Sequence, residues 1–185
     1  MKNLKHFALT VVTVLILTVL TGCGVTAERW AYIHEPEEEI LSLASNGRAS
    51  YKGTEYTYTK DDSYIHLKGK DNSITDLRYV MDGDKMILYE AAVYYREGGE
   101  TADGIAGMWR QENGRNLFQF TKDGKFSEEN IFYGHYGLDK DKGTIKLMYD
   151  EPMEDALLYY ILDGDVLTIE YPWPLVSVTT ESSGK

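Results

Sequence analysis

The chain repeats itself, and this limits what it can fold into more than any other feature of its 185 residues. Residues 77–88, Leu-Arg-Tyr-Val-Met-Asp-Gly-Asp-Lys-Met-Ile-Leu, return 81 positions later as residues 158–169, Leu-Tyr-Tyr-Ile-Leu-Asp-Gly-Asp-Val-Leu-Thr-Ile. Upstream, Tyr56 to Leu67 falls on Tyr136 to Leu147, Ile40 to Arg48 falls on Leu117 to Lys125, and Trp30 corresponds to Trp109. Four segments kept in order at nearly constant offset predict one supersecondary unit used twice. The two units are residues 29–96 and 107–179, joined by a Gly-rich linker over 97–106 and followed by a disordered tail over 180–185.

Within each unit the hydrophobic period is two. Tyr56-Thr57-Tyr58, Ile65-His66-Leu67 and Leu117-Phe118-Gln119-Phe120 alternate as half-buried strands do. Asn46-Gly47, Asp82-Gly83, Asp123-Gly124 and Asp163-Gly164 supply the residues that tight hairpins need. The fold class expected is all-β: antiparallel meanders of five to seven short strands, twice, packed as one barrel or a pair of half-barrels. Residues 36–46 pull the other way. Pro36, the acids Glu37 to Glu39 and the closing Asn46-Gly47 also fit a short helix. The counterpart from Leu117 onward has no such start, so the repeat favours a strand.

The N-terminus has the three parts of an export signal over residues 1–22: cationic Lys2 and Lys5, an apolar run from Phe7 to Leu20, and a small-residue end. This run, apolar apart from Thr10, Thr13 and Thr18, is fourteen residues long and makes about 21 Å of helix, short of the roughly 30 Å hydrocarbon core of a bilayer. Leu20-Thr21-Gly22-Cys23 resembles the lipobox of bacterial lipoproteins. The resemblance implies that Cys23, the only cysteine, is acylated, with palmitate among the chains it carries. It also implies a lipid-anchored protein on the extracytoplasmic face of the cell membrane, with 23–28 as a short tether. A lone cysteine cannot form an internal disulfide, so the body must be held by its core. Tyr171-Pro172-Trp173-Pro174 is expected to break the last hairpin and present Trp173 at a rim.

Gly107-Met108-Trp109, followed by an apolar strand and Lys122-Asp123-Gly124-Lys125, is similar to the opening of lipocalin-like bacterial domains. The first unit keeps the tryptophan, in Ala27-Glu28-Arg29-Trp30, but lacks the glycine. What this resemblance implies is a barrel-like sheet cupping an apolar ligand.

Charge and motifs narrow the chemistry. Losing residues 1–22 removes two lysines and no acid, taking the formal charge from −11 to −13. A body so acidic, without Lys/Arg clusters, does not suit nucleic acid. His34, His66 and His135 share no metal-ligand spacing, and Asp139-Lys140-Asp141-Lys142-Gly143 departs from a calcium loop. No nucleophile motif is present, so no catalytic residue, metal or cofactor is assigned. Tyrosine, with an apolar body and a hydrogen-bonding tip, suits sugars, peptides or amphipathic ligands. The candidate ligand-binding residues are Tyr56, Tyr58, Tyr79, Tyr136, Tyr160 and Trp173. The function expected is a membrane-anchored, non-catalytic module that binds a small amphipathic ligand or an envelope protein. The alternatives are an accessory subunit docked to an integral membrane protein and a small cell-envelope hydrolase.

Overall fold

The computed structural model describes residues 25–98 and 104–178. Cys23, the export signal and the tail after 178 lie outside them. The described residues form fourteen strands and no helix. The first half holds β1 (Ala27–Tyr32), β2 (Glu39–Ala44), β3 (Arg48–Tyr51), β4 (Thr54–Lys60), β5 (Tyr64–Lys68), β6 (Ile74–Asp82) and β7 (Lys85–Gly98). The second holds β8 (Gly107–Gln111), β9 (Leu117–Phe120), β10 (Lys125–Glu128), β11 (Phe132–Asp139), β12 (Thr144–Tyr149), β13 (Ala156–Asp163) and β14 (Val166–Ser177). All pairings are antiparallel. The contested stretch is a strand from Glu39: Pro36, Glu37 and Glu38 sit in the turn before it, Glu39 opens it, and Ile40, Leu41 and Leu43 are buried within Glu39–Ala44.

Sequential neighbours pair throughout, β1 closes onto β14, and β7 pairs with β14 along eleven residues. This last pairing divides the closed sheet. The start of β7 pairs with β6 and its end with β8, while the start of β14 pairs with β13 and its end with β1. Two rings of eight strands result, and both contain β7 and β14. The first half's barrel therefore takes its eighth wall from the end of β14, and the second half's takes its own from β7.

Register makes the arrangement symmetrical. Glu90 lies opposite Tyr171, 81 positions on, and Lys85↔Val176 mirrors Tyr95↔Val166 about that pair. The hairpins feeding the ribbon are built alike. Asp82 pairs with Lys85 and Asp163 with Val166, leaving two-residue loops. Gly83 and Gly164 take φ of 64° and 58° there, the positive φ that a type II′ turn needs at its first loop residue.

Eight strands enclose a space that side chains can fill, and here they fill it twice. Trp30, Leu41, Leu43, Ile65, Leu67, Met86, Leu88 and Leu175 belong to one core. Tyr94, Ile105, Trp109, Phe118, Phe120, Phe126, Ile145, Leu147, Leu167 and Ile169 belong to the other. The two cores carry the mark of the shared ribbon: Leu175 of β14 is in the first and Tyr94 of β7 in the second.

Three boundaries differ from the sequence expectation. Ala27 and Glu28, placed in the tether, begin β1, and Glu97 and Gly98, placed in the linker, end β7. Tyr171-Pro172-Trp173-Pro174 does not break a hairpin but runs through β14. The ribbon tolerates the prolines because β13 pairing ends at Glu170 and β1 pairing starts at Leu175. Pro172 and Pro174 share a parity, so both nitrogens can face that unpaired edge, where no donor is needed.

Candidate functional site

Most polar groups inside the barrels are engaged with one another, the Trp30 indole N–H being the exception among the described residues. In the first barrel the Glu90 carboxylate accepts hydrogen bonds from Tyr32 Oη at 2.6 Å, Tyr51 Oη at 3.0 Å and Lys52 Nζ at 2.7 Å. Burial, reinforced by this carboxylate, pushes both phenols far above the usual tyrosine range. In the second barrel Tyr149 Oη donates to Glu128 at 2.6 Å, and the Tyr94 and Tyr171 hydroxyls lie 2.8 Å apart. Burial raises these phenols too, with Tyr94 adding to the effect at Tyr171 and Glu128 at Tyr149. Tyr51 stands 77 positions before Glu128 and Glu90 81 positions before Tyr171, so acid and phenol are interchanged between the two clusters. These clusters close walls.

The histidines stand apart. His66 is on the outer face of β5, its ring 39 % exposed, with Nδ1 2.7 Å from Asp76 and Nε2 3.3 Å from Asp61. The hydrogen bond to Asp76, then that to Asp61, raises its pKa. Asp61 is lowered chiefly by the backbone N–H groups of Ser63 and Tyr64. His34 stacks on Tyr32, with centroids 5.7 Å apart, beside Trp173. His135 is exposed on β11. Among the described residues no serine or threonine hydroxyl bonds a histidine, and no three His, Cys, Asp or Glu side chains converge as metal ligands.

The six candidate aromatics are divided between the two barrels. Tyr56 and Tyr58 pack against the first core, and Tyr79 lies within it. Its hydroxyl donates to Asp61 O at 2.6 Å. Tyr136 and Tyr160 pack against the second core. Tyr136 meets Phe120 edge-on at 5.0 Å and donates to Thr121 O at 2.9 Å. Trp173 sits 39 % exposed against Tyr32. They form no common cup.

What is open lies outside. The outer face of the ribbon and its flanking strands presents Val80, Tyr89, Val93, Tyr95, Pro172 and Ile161 across both barrels. One ion pair crosses it. Arg78 Nε binds Glu170 at 2.7 Å, and its guanidinium lies 4.1 Å from the Tyr159 ring centroid. A second outer feature is a concavity of about 560 Å³ over β2 to β5, floored by Ser42, Ala44 and Ser50 and edged by Arg48, Thr57 and Lys68. A third, of about 610 Å³, lies over β11 to β13 between Leu138, Leu157, Tyr159 and Lys146.

The periodicity that located the strands contains no signal for these surfaces, because each is assembled by register across several strands. Comparison with known proteins finds no matching family model, no matching curated sequence and no matching solved structure.

Proposed function

We propose that this chain is an extracytoplasmic lipoprotein, anchored through acylated Cys23, whose body is a non-catalytic interaction module. We also read its two halves as products of an internal duplication; the symmetrical register of β7 and β14 supports that reading.

One observation carries the proposal: both barrel interiors are occupied by the protein's own side chains. A lipocalin-like cup needs an empty interior, and side chains such as Trp109 and Phe118 occupy that volume. Recognition is therefore assigned to the exterior. The ribbon's outer face, largely apolar on both barrels and crossed by the Arg78–Glu170 ion pair, suits a protein surface better than a small ligand. The tether favours a partner in the membrane. With β1 starting at Ala27, only four residue steps separate the body from Cys23, at most about 14 Å of extended chain. This is the observation behind the accessory-subunit reading, in which the face docks on the extracytoplasmic part of an integral membrane protein.

The test is a photoreactive residue at Val93 in the full chain in native membranes, with the same residue at exposed Lys140 as control. A discrete adduct with an integral membrane protein from Val93 and none from Lys140 is expected. Equal, diffuse labelling from both would contradict the reading, as would an unacylated Cys23 in the native protein.

A further inference from the structure

We propose that the concavity on the outer face of β2 to β5 binds a phosphate ester carried on a polyol. The argument rests on the register of four strands and is independent of the membrane partner.

Side chains in this wall alternate. Leu41, Leu43, Ala49 and Leu67 are buried, so Ser42, Ala44, Arg48, Ser50, Thr57 and Lys68 point outward. The pairings place them in two adjacent rungs. Ser42 faces Ser50, and Ser50 faces Glu55. Glu55 in turn binds Lys70 at 3.2 Å. In the next rung Arg48 faces Thr57, which faces Lys68. Small residues at Ser42, Ala44 and Ser50 leave the floor low, and this relief makes the concavity.

The two rungs differ in charge. The first is neutral, because Lys70 is matched by Glu55, and it offers two hydroxyls and a carboxylate. The second carries Arg48 and Lys68, neither of which meets a carboxylate among the described residues. Most other cations of this acidic body have one: Arg29, Lys52, Lys60, Arg78, Arg96, Arg110 and Lys146 all do. With 30 acids in the chain, two neighbouring cations that meet none of them form a positive spot on this wall, to which an anion can be drawn. Two strand spacings, about 10 Å, separate their Cα atoms. Side chains of this length can converge above Thr57 Oγ1.

The chemistry favours a phosphate. A guanidinium fork and an ammonium point charge match an oxyanion with several acceptor oxygens, while the Thr57 hydroxyl between them donates to Lys68 O at 3.5 Å. The volume exceeds a bare phosphate and suits a small organic ligand. Ser42, Ser50 and Glu55 then lie beside the phosphate, able to donate to and accept from hydroxyl groups of the ester. The same chemistry occurs in soluble polyol phosphates and in phosphatidylglycerol headgroups.

The experiment is calorimetric titration of the mature, detergent-solubilised chain with glycerol 3-phosphate, glycerol, inorganic phosphate, and short-chain phosphatidylglycerol against short-chain phosphatidylcholine. Saturable binding of glycerol 3-phosphate is expected, weakened at least about tenfold in the R48A/K68A double variant and unchanged in K140A. Both altered side chains are exposed, so the melting temperature should be unchanged. Binding should also weaken between about 50 and 200 mM salt. Phosphatidylglycerol binding as well as glycerol 3-phosphate would assign the site to a lipid headgroup; failure of the lipid alone would assign it to a soluble ester. No saturable binding by any phosphate, or equal affinity in the double variant, would overturn the proposal. Inorganic phosphate binding as tightly as the ester would overturn the polyol part.

Discussion

The two tryptophans that open the two barrels occupy matching positions and have unlike surroundings. Trp109 is fully buried, donates its indole N–H to Ile105 O at 2.7 Å, and lies under the Arg96 guanidinium at 4.1 Å. Trp30 is also buried, yet its indole N–H has no acceptor among the described residues. The cause is one position in the ribbon. Trp109 faces Arg96 on β7, whereas Trp30 faces Ser177 on β14. Arg96 also donates to Gly104 O and Ala106 O and pairs with Asp165. It thereby fixes the segment that presses Ile105 into the second core. The residue 79 positions before Ile105 is Thr26, which is exposed. The barrels share a wall and a topology, both are filled, and among the described residues only the second has an end segment tucked in over its tryptophan.

Replacing Arg96 by alanine tests this difference with the largest effect. It removes two charge-assisted hydrogen bonds, an ion pair and a cation–π contact, and should cost about 3 kcal/mol by denaturant unfolding. A loss below about 1 kcal/mol would mean that the tucked-in segment does not depend on it. Next, Gly134→Ala should cost about 2 kcal/mol. A Cβ there would run into the Met148 carbonyl oxygen and press on Phe126. The position 80 residues earlier is Thr54, exposed at the start of β4, so Thr54→Ala should be nearly silent. The tryptophans then sharpen the contrast. Trp109→Phe forfeits a satisfied hydrogen bond and should cost about 2 kcal/mol, whereas Trp30→Phe removes an orphaned donor and should fall within about 1 kcal/mol of neutral. Equal costs would break the comparison.

The smallest effect is one of pH. His66 clamps β5 to Asp76 and Asp61, while its counterpart Lys146 pairs with Asp155 at 2.9 Å. The folded pKa of His66 is raised, so its contribution is complete below the ordinary histidine value near 6.5 and is lost as pH rises through the raised value. Amide protection relative to the intrinsic exchange rate should therefore fall in β5 and β6 over that window, without a matching fall in β12 and β13. His66→Gln should abolish the pH dependence. Its persistence would move the titration elsewhere.

Much of this fold is legible in the sequence because it depends on local pattern. Asp82-Gly83 and Asp163-Gly164 mark two hairpins, and alternation turns core positions such as Ile65 and Leu67 inward. The 81-residue spacing also fixes which residues of β7 and β14 correspond. It does not show that they pair with each other, because an offset carries no information about which edge a strand joins. The same limit hides Arg48, Thr57 and Lys68, which lie within 21 positions of one another but become neighbours only through two successive registers. Pro172 and Pro174 mislead for a related reason: proline stops a strand only where its nitrogen faces a ladder partner.

One ribbon completes both barrels, so neither core closes without a strand from the other half. Scanning calorimetry of the mature chain tests this directly. A single transition, with calorimetric and van't Hoff enthalpies equal, is predicted, and R96A should lower it as a whole. Two resolved transitions, with only one displaced by R96A, would contradict it.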